Sequence, residues 1–554
     1  MLTEIENKKL AELLFPEVEK TTEYWEEKFP YRKLGKKAEV TRMAPSPTGF
    51  IHLGNLYSAL ADERIAHRHG GVFYLRIEDT DAKRKVDGAV DLIINALRYF
   101  NIEFDEGAGF GDDAEQNAYG PYYQTERVEI YHSYAKSLVE RGLAYPCFAT
   151  EEELSKVREE QEENKVLTGY YGKYATWRDK TFAEYEEALK SGAEHVLRLR
   201  SQGEEGKEIT FHDEIKGDVQ LPENIHDIVL LKKDGIPTYH FAHAIDDHLM
   251  RTTVVIRGGE WLASVPIHYE LFHVLGFKMP KYAHTAHLMK FDEETGGKRK
   301  LSKRKDPELS LDFYRKDGYH PHCMKVYLLT LLNSHFEEWH EQHPDEDLNN
   351  FPFSVENMSK SGALFDKDKL HNICKNELSR LSEDEVYEFL KTWAEEFEPE
   401  KAKLWFADEE KLKSILRLYM GVGAKRRRKD LIFAKQVFEL IGYFFGDESE
   451  KDEFKLGTEE EKKILAEYLN TFDYADDNSA WFNKLKAVAD KLGYASDMKA
   501  YKANPEDFKG SVSDIAEAVR ISVTGRANTP DLWTIIHIMG EEQMRERINA
   551  VLNA

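Results

Sequence analysis

The sequence predicts an α/β protein whose parallel, Rossmann-type sheet is split by an inserted α/β region and followed by a mainly α-helical C-terminal half. Three observations predict this arrangement. Strand-like and helix-like segments alternate from about residue 38 to residue 110. The alternation is interrupted between about 111 and 225 and returns from 226 to 305. From about 306 to the end, apolar residues recur at helical spacing.

The first half of the sheet is predicted within residues 1–110. Hydrophobic periodicity, glycines and capping residues define its elements. They are, in order, a helical lead-in over 1–37 that ends in the basic turn RKLGKK, a strand over 38–43, a glycine-closed helix over 56–71, a strand over 71–81 and an amphipathic helix over 89–101.

Residues 111–225 are rich in Tyr, Glu and Lys, and we interpret them as a domain inserted into the sheet. The second half of the sheet is predicted in 226–305, where the strands IVLL and TTVVIR flank a glycine turn and a helix. In the C-terminal half, residues 412–445 and 532–552 show helical apolar spacing. The polar segment DESEKDEF near residue 447 is a candidate linker. The predicted helical domains are therefore 306–380, 381–446 and 447–554.

The chain has 554 residues and a formal net charge of −25, with 41% hydrophobic, 12% aromatic and 32% charged residues. This length requires several domains, and this composition is typical of a folded protein rather than a disordered one. The acidic balance argues against a protein that coats DNA. It does not exclude RNA binding, which depends on local basic patches.

The three cysteines, Cys147, Cys323 and Cys374, lie far apart and form no CxxC pair. Thiolate zinc sites need closely spaced ligands, so we expect reduced thiols and no structural zinc or other bound metal. We find neither an apolar run of about 18 residues nor a signal peptide. We therefore expect a cytoplasmic protein that does not bind membranes.

The first motif is the segment PSPTGFIHLGN, residues 45–55, at the predicted start of a helix. The N-terminus of a helix attracts phosphate through its free N–H groups and its dipole. Gly54 allows a nucleotide to approach the backbone closely, and His52 can donate to a phosphate oxygen. A Pro-rich turn that only caps the helix would have the same residues, so this motif alone leaves both interpretations open.

The second motif is the segment KRKLSKRK, residues 298–305, which places six cations in eight residues. Lysines on a mobile loop can follow the charge that develops on a triphosphate as pyrophosphate leaves. Gly296 and Gly297 precede the segment and would supply this mobility. In isolation, a basic loop that is merely solvated explains the composition equally well.

Together, HLGN on the first strand–helix turn and KLSKR after the last strand resemble the paired signatures of class I aminoacyl-tRNA synthetases. Further segments make the chain similar to the glutamyl-tRNA synthetases over roughly residues 38–554. These segments are RMAPSPTG, RIEDTD, PTYH, DDH, RGGEW and the terminal VTGRANTPDLWTIIHIMG. Two positions depart from the family pattern, because Asn55 stands for the usual second His and His243 for a frequent Asn.

The resemblance implies specific site residues. The implied glutamate-binding residues are Arg42, Ala44, Ser46, Glu78, Tyr239, His243 and Arg257. The implied ATP-binding residues are His52, Gly54, Asn55, Glu260, Met289, Lys300 and Lys303. The residues implied to act in catalysis are His52, Lys300, Ser302, Lys303 and Arg304.

The chemistry of glutamate agrees with this assignment. Arginine binds a carboxylate with two parallel hydrogen bonds, so Arg42 and Arg257 can serve the two carboxylates while Glu78 holds the ammonium group. Glutamine would leave one arginine without its ionic partner. An ordinary ion pair between Arg76 and Glu78 at the strand end is the simpler alternative for Glu78.

The resemblance also implies the reaction and its partners. The α-carboxylate of L-glutamate attacks the α-phosphate of ATP, Mg²⁺ accompanies the ATP, and the terminal adenosine of tRNA(Glu) then attacks the adenylate. The inserted region corresponds to the acceptor-end-binding domain, and the helical half to the anticodon-binding domains. We expect a monomer in which Lys425, Arg426, Arg427 and Arg428 bind tRNA as a local positive track, although a solvated helix end would look the same.

Four other interpretations are weaker. A glutaminyl-tRNA synthetase would end in β-barrels and is disfavoured by Arg42, and a tRNA-modifying glutamyl transferase would lack the helical half. A nucleotidyltransferase acting on a small molecule would not need about 250 further helical residues. A non-catalytic RNA-binding homologue is disfavoured because both nucleotide signatures are intact. The sequence leaves open whether tRNA(Gln) is also charged and whether activation needs tRNA.

Overall fold

The computed structural model describes residues 2–47, 51–81, 86, 88–110, 117–292, 294–360, 362–447 and 451–554. The chain divides into two compact units. The first contains Met1–Phe313 and Lys325–Asp366, and the second contains Tyr314–Met324 and Lys367–Ala554.

The strands are β1 (Val40–Met43), β2 (Val72–Leu75), β3 (Glu106–Gly107), β4 (Ala144–Cys147), β5 (Val196–Leu199), β6 (Glu208–Asp213), β7 (Gly217–Pro222), β8 (Val229–Leu231), β9 (Val254–Gly258), β10 (Lys281–Thr285), β11 (Leu288–Phe291), β12 (Lys298–Lys300) and β13 (Ala363–Leu364).

The helices before residue 350 are α1 (Glu4–Leu14), α2 (Thr22–Lys28), α3 (Leu53–His67), α4 (Ala89–Tyr99), α5 (Val128–Glu140), α6 (Glu151–Glu163), α7 (Phe182–Lys190), α8 (Tyr239–Leu249), α9 (Val265–Leu275), α10 (Leu311–Asp317), α11 (Pro321–Leu332) and α12 (Phe336–Gln342). Those that follow are α13 (Lys367–Leu378), α14 (Glu383–Phe397), α15 (Pro399–Trp405), α16 (Glu409–Met420), α17 (Ala434–Ile441), α18 (Thr458–Thr471), α19 (Asn478–Leu492), α20 (Met498–Ala503), α21 (Val512–Thr524), α22 (Leu532–Met539) and α23 (Glu541–Asn553).

The split parallel sheet predicted from the sequence is confirmed. Strands β1, β2 and β3 are parallel in that order, and β10 pairs in parallel with both β9 and β6. The backbone N–H of Thr253, at the entry to β9, donates to the carbonyl of Val40 in β1 over 2.9 Å and brings the two halves together. All four residues of β1 are buried, as expected for a strand inside a parallel sheet.

The predicted boundary at residue 225 is crossed in both directions. The hairpin β6–β7 lies within the predicted insertion, yet β6 pairs with β10 of the sheet at Asp213 and Tyr282. Conversely, β8 lies beyond the boundary and pairs with β5 in the antiparallel sheet β4–β5–β8. Strand propensity identifies a strand but not its partner, which explains why these assignments differ from the predicted domains.

The helical lead-in forms α1 and α2, which are capped by the side chains of Thr3 and Thr21. Trp25 of α2 is buried, and its Nε1–H donates to Ser133 Oγ on α5 over 3.0 Å. The lead-in therefore packs as part of the first unit.

The second unit is helical, as predicted, with one difference in the segment 412–445. Helix α16 ends at Gly421, whose φ of 64° lies in the left-handed region. Residues between α16 and α17 are not helical, because a second left-handed glycine, Gly423, follows. Within the predicted linker DESEKDEF, residues 448–450 lie outside the described residues.

Among the described residues, none of the helices is long and apolar enough to cross a membrane. The same residues contain no group of three or more His, Cys, Asp or Glu that could hold a metal ion. Cys147, Cys323 and Cys374 are buried thiols.

Candidate active site

A cavity of about 470 Å³ opens at the carboxyl ends of β1, β9 and β10. Ligands of open parallel sheets bind at this edge, where strands end and helices begin. Twelve of the sequence-predicted site residues lie in its wall: Arg42, Ala44, Ser46, His52, Gly54, Asn55, Glu78, Tyr239, Arg257, Glu260, Lys300 and Lys303. The cavity therefore brings together both motifs and both arginines.

Four predicted residues are not part of this wall: His243, Met289, Ser302 and Arg304. His243 is fully buried, and its ring packs against Tyr239 with centroids 5.6 Å apart. Its Nε2 lies 2.8 Å from Tyr282 Oη. His243 therefore supports a residue of the wall from the interior. In the predicted segment 45–55, Thr48, Gly49 and Phe50 lie outside the described residues.

His52 caps α3. Its Nδ1 accepts the backbone N–H of Asn55 over 3.2 Å, and Asn55 Oδ1 accepts the backbone N–H of His52 over 3.0 Å. Burial, followed by the nearby Lys303, lowers the pKa of His52 from 6.5 to about 4. The imidazole is therefore neutral near pH 7, and because Nδ1 is an acceptor, its proton resides on Nε2.

Gly54 lies close to the same imidazole. A Cβ placed there would lie 3.0 Å from Cε1 and Nδ1 of the His52 ring. A larger residue would require the imidazole to shift by a few tenths of an ångström. The combination of a neutral His donor and a helix N-terminus suits an anionic ligand such as phosphate.

Arg42 is 4% exposed and is held by Asp247, which accepts from Nε at 3.3 Å. Asp247 also accepts from Arg76 at 2.7 Å. Burial lowers the pKa of Arg42, but the Asp247 carboxylate outweighs this effect, so the pKa lies above its usual value. The two terminal nitrogens of Arg42 have no hydrogen-bond partner among the described residues and can bind a carboxylate.

Glu78 and Arg76 are paired, as the simpler interpretation of this strand end expected. Arg76 donates to Glu78 Oε1 over 3.2 Å, and both residues are buried. Burial raises the pKa of Glu78, with Arg76 opposing the shift. Glu78 nevertheless lies in the cavity wall, where an ammonium group would stabilise its ionised form.

The cationic segment is only partly a loop, which corrects the expectation from sequence. Residues of β12 pair antiparallel with β11, so that Lys300 lies opposite Met289. The intervening turn contains Gly296 with φ of 67°. Arg299 forms two hydrogen bonds with Asp306, at 2.6 and 2.8 Å, and lowers the pKa of that carboxyl to about 2. Lys300 and Lys303 remain in the cavity wall.

Sequence reasoning missed several residues around the cavity. Asp62 lies in the wall as a buried carboxyl on α3, and Trp261 and His287 lie there as well. Asp62 lies on a helix that is buried on most sides, so no apolar face in the sequence marks this carboxyl as part of a site. The buried pair Asp213 and His284 carries no local signal either, because the two residues are 71 positions apart in the sequence.

The predicted basic track lies in the second unit, between α16 and α17. Lys425, Arg426 and Arg427 are exposed, whereas Arg428 donates to Asp430 over 2.6 Å. The segment is therefore an exposed, non-helical loop rather than the solvated helix end that was the alternative.

Comparisons with known proteins agree with the site. Residues 39–372 match the model of the catalytic domain of class I tRNA synthetases (E and Q). Residues 385–552 match the model of an anticodon binding domain.

The chain is 52% identical to a glutamate–tRNA ligase of Acetivibrio thermocellus, with 98% of the chain and 100% of that relative covered. It is 32% identical to a glutamate–tRNA ligase of Bacillus subtilis, covering 94% of the chain and 100% of the relative. A crystal structure of a glutamate–tRNA ligase from Elizabethkingia meningosepticum in complex with its amino acid matches with a TM-score of 0.73 at 27% identity, covering 94% and 100% of the two chains. Since the family model and full-length relatives agree, the chain belongs to the glutamate–tRNA ligases, a family of class I tRNA synthetases.

Proposed function

We propose that this chain activates L-glutamate with ATP to glutamyl-adenylate and pyrophosphate, and then transfers glutamate to the terminal adenosine of tRNA(Glu). The observation that carries the proposal is the shared cavity of Arg42, Arg257 and His52. Two guanidinium groups suit an amino acid with two carboxylates, and the capped start of α3 suits the phosphates of ATP.

Glutamate is bound between the two arginines. Arg42 offers its unpartnered terminal nitrogens to one carboxylate, and Arg257 offers its own to the other. Glu78 accepts from the ammonium group, and Ala44, Ser46 and Tyr239 shape the remaining wall. A neutral amide in place of the side-chain carboxylate would leave one buried guanidinium without a counter-charge, which disfavours glutamine.

ATP occupies the side of the cavity formed by the two motifs. Nε2–H of His52 and the cations Lys300 and Lys303 stabilise negative charge on the phosphates as pyrophosphate leaves. Gly54, Asn55, Glu260 and Met289 complete the predicted nucleotide contacts, of which Met289 acts by pairing with Lys300. Ser302 donates its backbone N–H to Asp306 over 2.8 Å and so orders the turn before Lys303, while Arg304 is exposed.

Mg²⁺ fits this site as a companion of ATP, because it takes most of its ligands from phosphate oxygens and water. The half-exposed carboxylate of Glu260 in the cavity wall is assigned to the ribose of ATP, as expected from the sequence, and no protein residue is assigned to the ion. When bound, the ion supplies charge neutralisation on the phosphates.

The chemistry itself needs no general base. The glutamate α-carboxylate attacks the α-phosphorus of ATP. The bond between this phosphorus and the oxygen that bridges the α- and β-phosphates breaks, and pyrophosphate leaves. The enzyme therefore works by positioning and by electrostatic stabilisation. In the second step the adenosine hydroxyl attacks the mixed anhydride and releases AMP.

tRNA is assigned to two surfaces. The inserted region around β4–β5–β8 receives the acceptor end, and the exposed loop of Lys425, Arg426, Arg427 and Arg428 contacts the anticodon arm. Clustered cations on a chain of net charge −25 provide a local site for phosphates or for guanine edges.

ATP–pyrophosphate exchange tests the proposal. The purified chain is assayed with glutamate, glutamine or neither, each with and without tRNA(Glu). We expect exchange with glutamate at a far lower concentration than with glutamine. Charging of tRNA(Glu) and tRNA(Gln) with labelled glutamate then distinguishes single from dual tRNA specificity. Absence of exchange with any amino acid, in the presence of tRNA, would refute the proposal.

A further inference from the structure

Arg257 is oriented by neutral hydrogen-bond acceptors. Its Nε–H donates to His284 Nε2 over 3.0 Å, NH1 donates to His268 Nδ1 over 3.1 Å, and NH2 donates to the carbonyl of Trp261 over 3.3 Å. A guanidinium has five N–H donors, so one remains on each terminal nitrogen. These two are the donors available to a carboxylate.

The surroundings of Arg257 and Arg42 differ in whether a carboxylate is close to the guanidinium. Arg42 has the Asp247 carboxylate within ion-pair distance, whereas Arg257 has no carboxylate within that distance among the described residues. The neutral acceptors fix the guanidinium without cancelling its charge. Its full charge is therefore retained for an incoming anion.

Asp213 determines which nitrogen of His284 accepts. Asp213 Oδ2 lies 2.6 Å from His284 Nδ1 and also accepts the backbone N–H of His284 over 3.1 Å. Because Arg257 Nε–H can only donate, His284 Nε2 accepts and carries no proton, so the ring proton lies on Nδ1, where it donates to Asp213. Burial lowers the pKa of His284, with Asp213 opposing the shift, which agrees with a neutral ring. Nε2 is then left as the acceptor that Arg257 Nε–H needs. His284 and Asp213 are both fully buried.

We propose that Asp213 and His284 are positioning residues for glutamate: Asp213 sets the tautomer of the His284 imidazole, and His284 orients the Arg257 guanidinium so that its two remaining donors meet a substrate carboxylate. The inference rests on the proposed function. Asp213 comes from β6, His284 from β10 and Arg257 from β9, so three adjacent strands of one sheet form the chain of hydrogen bonds. Such partners of a binding residue commonly govern affinity without touching the ligand.

The test compares steady-state exchange kinetics of full-length variants. In Asp213→Asn the amide can donate to His284 Nδ1, which moves the imidazole proton to Nε2. The Nε2–H of His284 then faces the Nε–H of Arg257, and this hydrogen bond is lost. His284→Leu removes the acceptor altogether, whereas His284→Gln keeps a carbonyl oxygen that can accept from Arg257. We expect the KM for glutamate to rise about 10- to 100-fold in Asp213→Asn and His284→Leu, the scale of losing one hydrogen bond to a charged group.

Three controls separate positioning from folding. The KM for ATP should remain within about twofold of wild type, His284→Gln should restore most of the affinity for glutamate, and the exposed His273→Gln should have no effect. A wild-type KM for glutamate in Asp213→Asn and His284→Leu would overturn the inference. An equal rise in both KM values, or no rescue by His284→Gln, would also overturn it in favour of a purely structural role. If the wild-type chain shows no exchange, it is the proposed function that fails.

Discussion

Asp247 accepts a hydrogen bond from Arg42 Nε at 3.3 Å and thereby leaves both terminal nitrogens of Arg42 without a partner among the described residues. The two residues are 205 positions apart in the sequence. An arginine that is hydrogen-bonded only through Nε presents the N–H groups of its two terminal nitrogens in one plane. A carboxylate can accept from both of them.

Removal of this pair of donors should weaken glutamate binding. We expect Arg42→Ala to raise the KM for glutamate at least about tenfold, because a hydrogen-bonded charge pair is lost, with little change in the KM for ATP. Arg42→Lys should recover only part of the loss, since an ammonium cannot form the paired contact. ATP–pyrophosphate exchange against glutamate concentration measures the effect, with the exposed Arg158→Ala as a control. Normal glutamate use by Arg42→Ala would contradict the pocket assignment.

His52 should act during adenylate formation. We expect His52→Ala to lower the exchange kcat about 10²- to 10³-fold, as for the loss of one donor to a developing charge, while the Kd for tRNA is unchanged. Because the pKa of His52 is about 4, the imidazole stays neutral above about pH 5, and we expect its contribution to be independent of pH in that range. A loss of tRNA binding equal to the loss of kcat would contradict this role.

The cationic segment offers a matched pair of lysines. Both lysines are exposed, but Lys303 lies in the cavity wall and Lys305 does not. We expect Lys303→Ala to slow exchange about 10²-fold or more and Lys305→Ala to have a small effect, because only the first can follow the leaving pyrophosphate. Equal effects of the two substitutions on kcat would indicate a general contribution of positive charge.

The buried histidines predict a pH dependence of stability. Burial and the nearby Arg257 lower the pKa of His240 from 6.5 to about 4. Between about pH 4 and pH 6.5, His240 is more often protonated in the unfolded chain than in the folded chain. The free energy of unfolding that depends on neutral His240 is therefore present above pH 6.5 and is lost as the pH falls towards 4. At roughly 1.4 kcal/mol per pKa unit, the contribution of His240 is at most about 3 kcal/mol.

His240→Gln tests this dependence. The urea midpoint of the full chain is measured by tryptophan fluorescence at pH 7.5 and pH 5. We expect the wild type to lose more stability on acidification than His240→Gln, while the exposed His273→Gln should behave as wild type. An identical loss in wild type and His240→Gln would show that His240 does not carry this linkage.

The basic loop should contribute to tRNA binding through phosphate or base contacts. We expect a double substitution of Arg426 and Arg427 by Ala to weaken tRNA(Glu) binding several-fold and to reduce the slope of log K against log salt. Double substitution of Lys499 and Lys502, exposed lysines elsewhere in the second unit, is the matched control. Filter binding between about 50 and 200 mM salt provides the measurement. Equal slopes for the two variants would contradict the assignment.

Local patterns were sufficient for much of the fold. The helices α3 and α4 and the strands β1 and β2 lie where periodicity, glycines and buried apolar runs predict them. The loop after α16 was harder, because the apolar spacing of 412–445 continues on both sides of Gly421 and Gly423. A left-handed glycine ends a helix without altering the pattern of its neighbours.

Some residues of the candidate site could likewise be predicted from local sequence, and others could not. The sequence by itself predicted that His52, Gly54, Lys300 and Lys303 belong to two phosphate-type motifs, and the resemblance to a family indicated Arg42 and Arg257. Residue type and short spacing carry this kind of information, since it depends on what each group can donate or accept.

Only the tertiary structure decided which groups touch. It placed His243 behind the cavity wall, paired Arg42 with Asp247, and joined Asp213 to His284 across 71 positions. The physical reason is that buried polar groups must find hydrogen-bond partners wherever the fold brings them together. Those partners come from neighbouring strands and helices, whose adjacency no local pattern records.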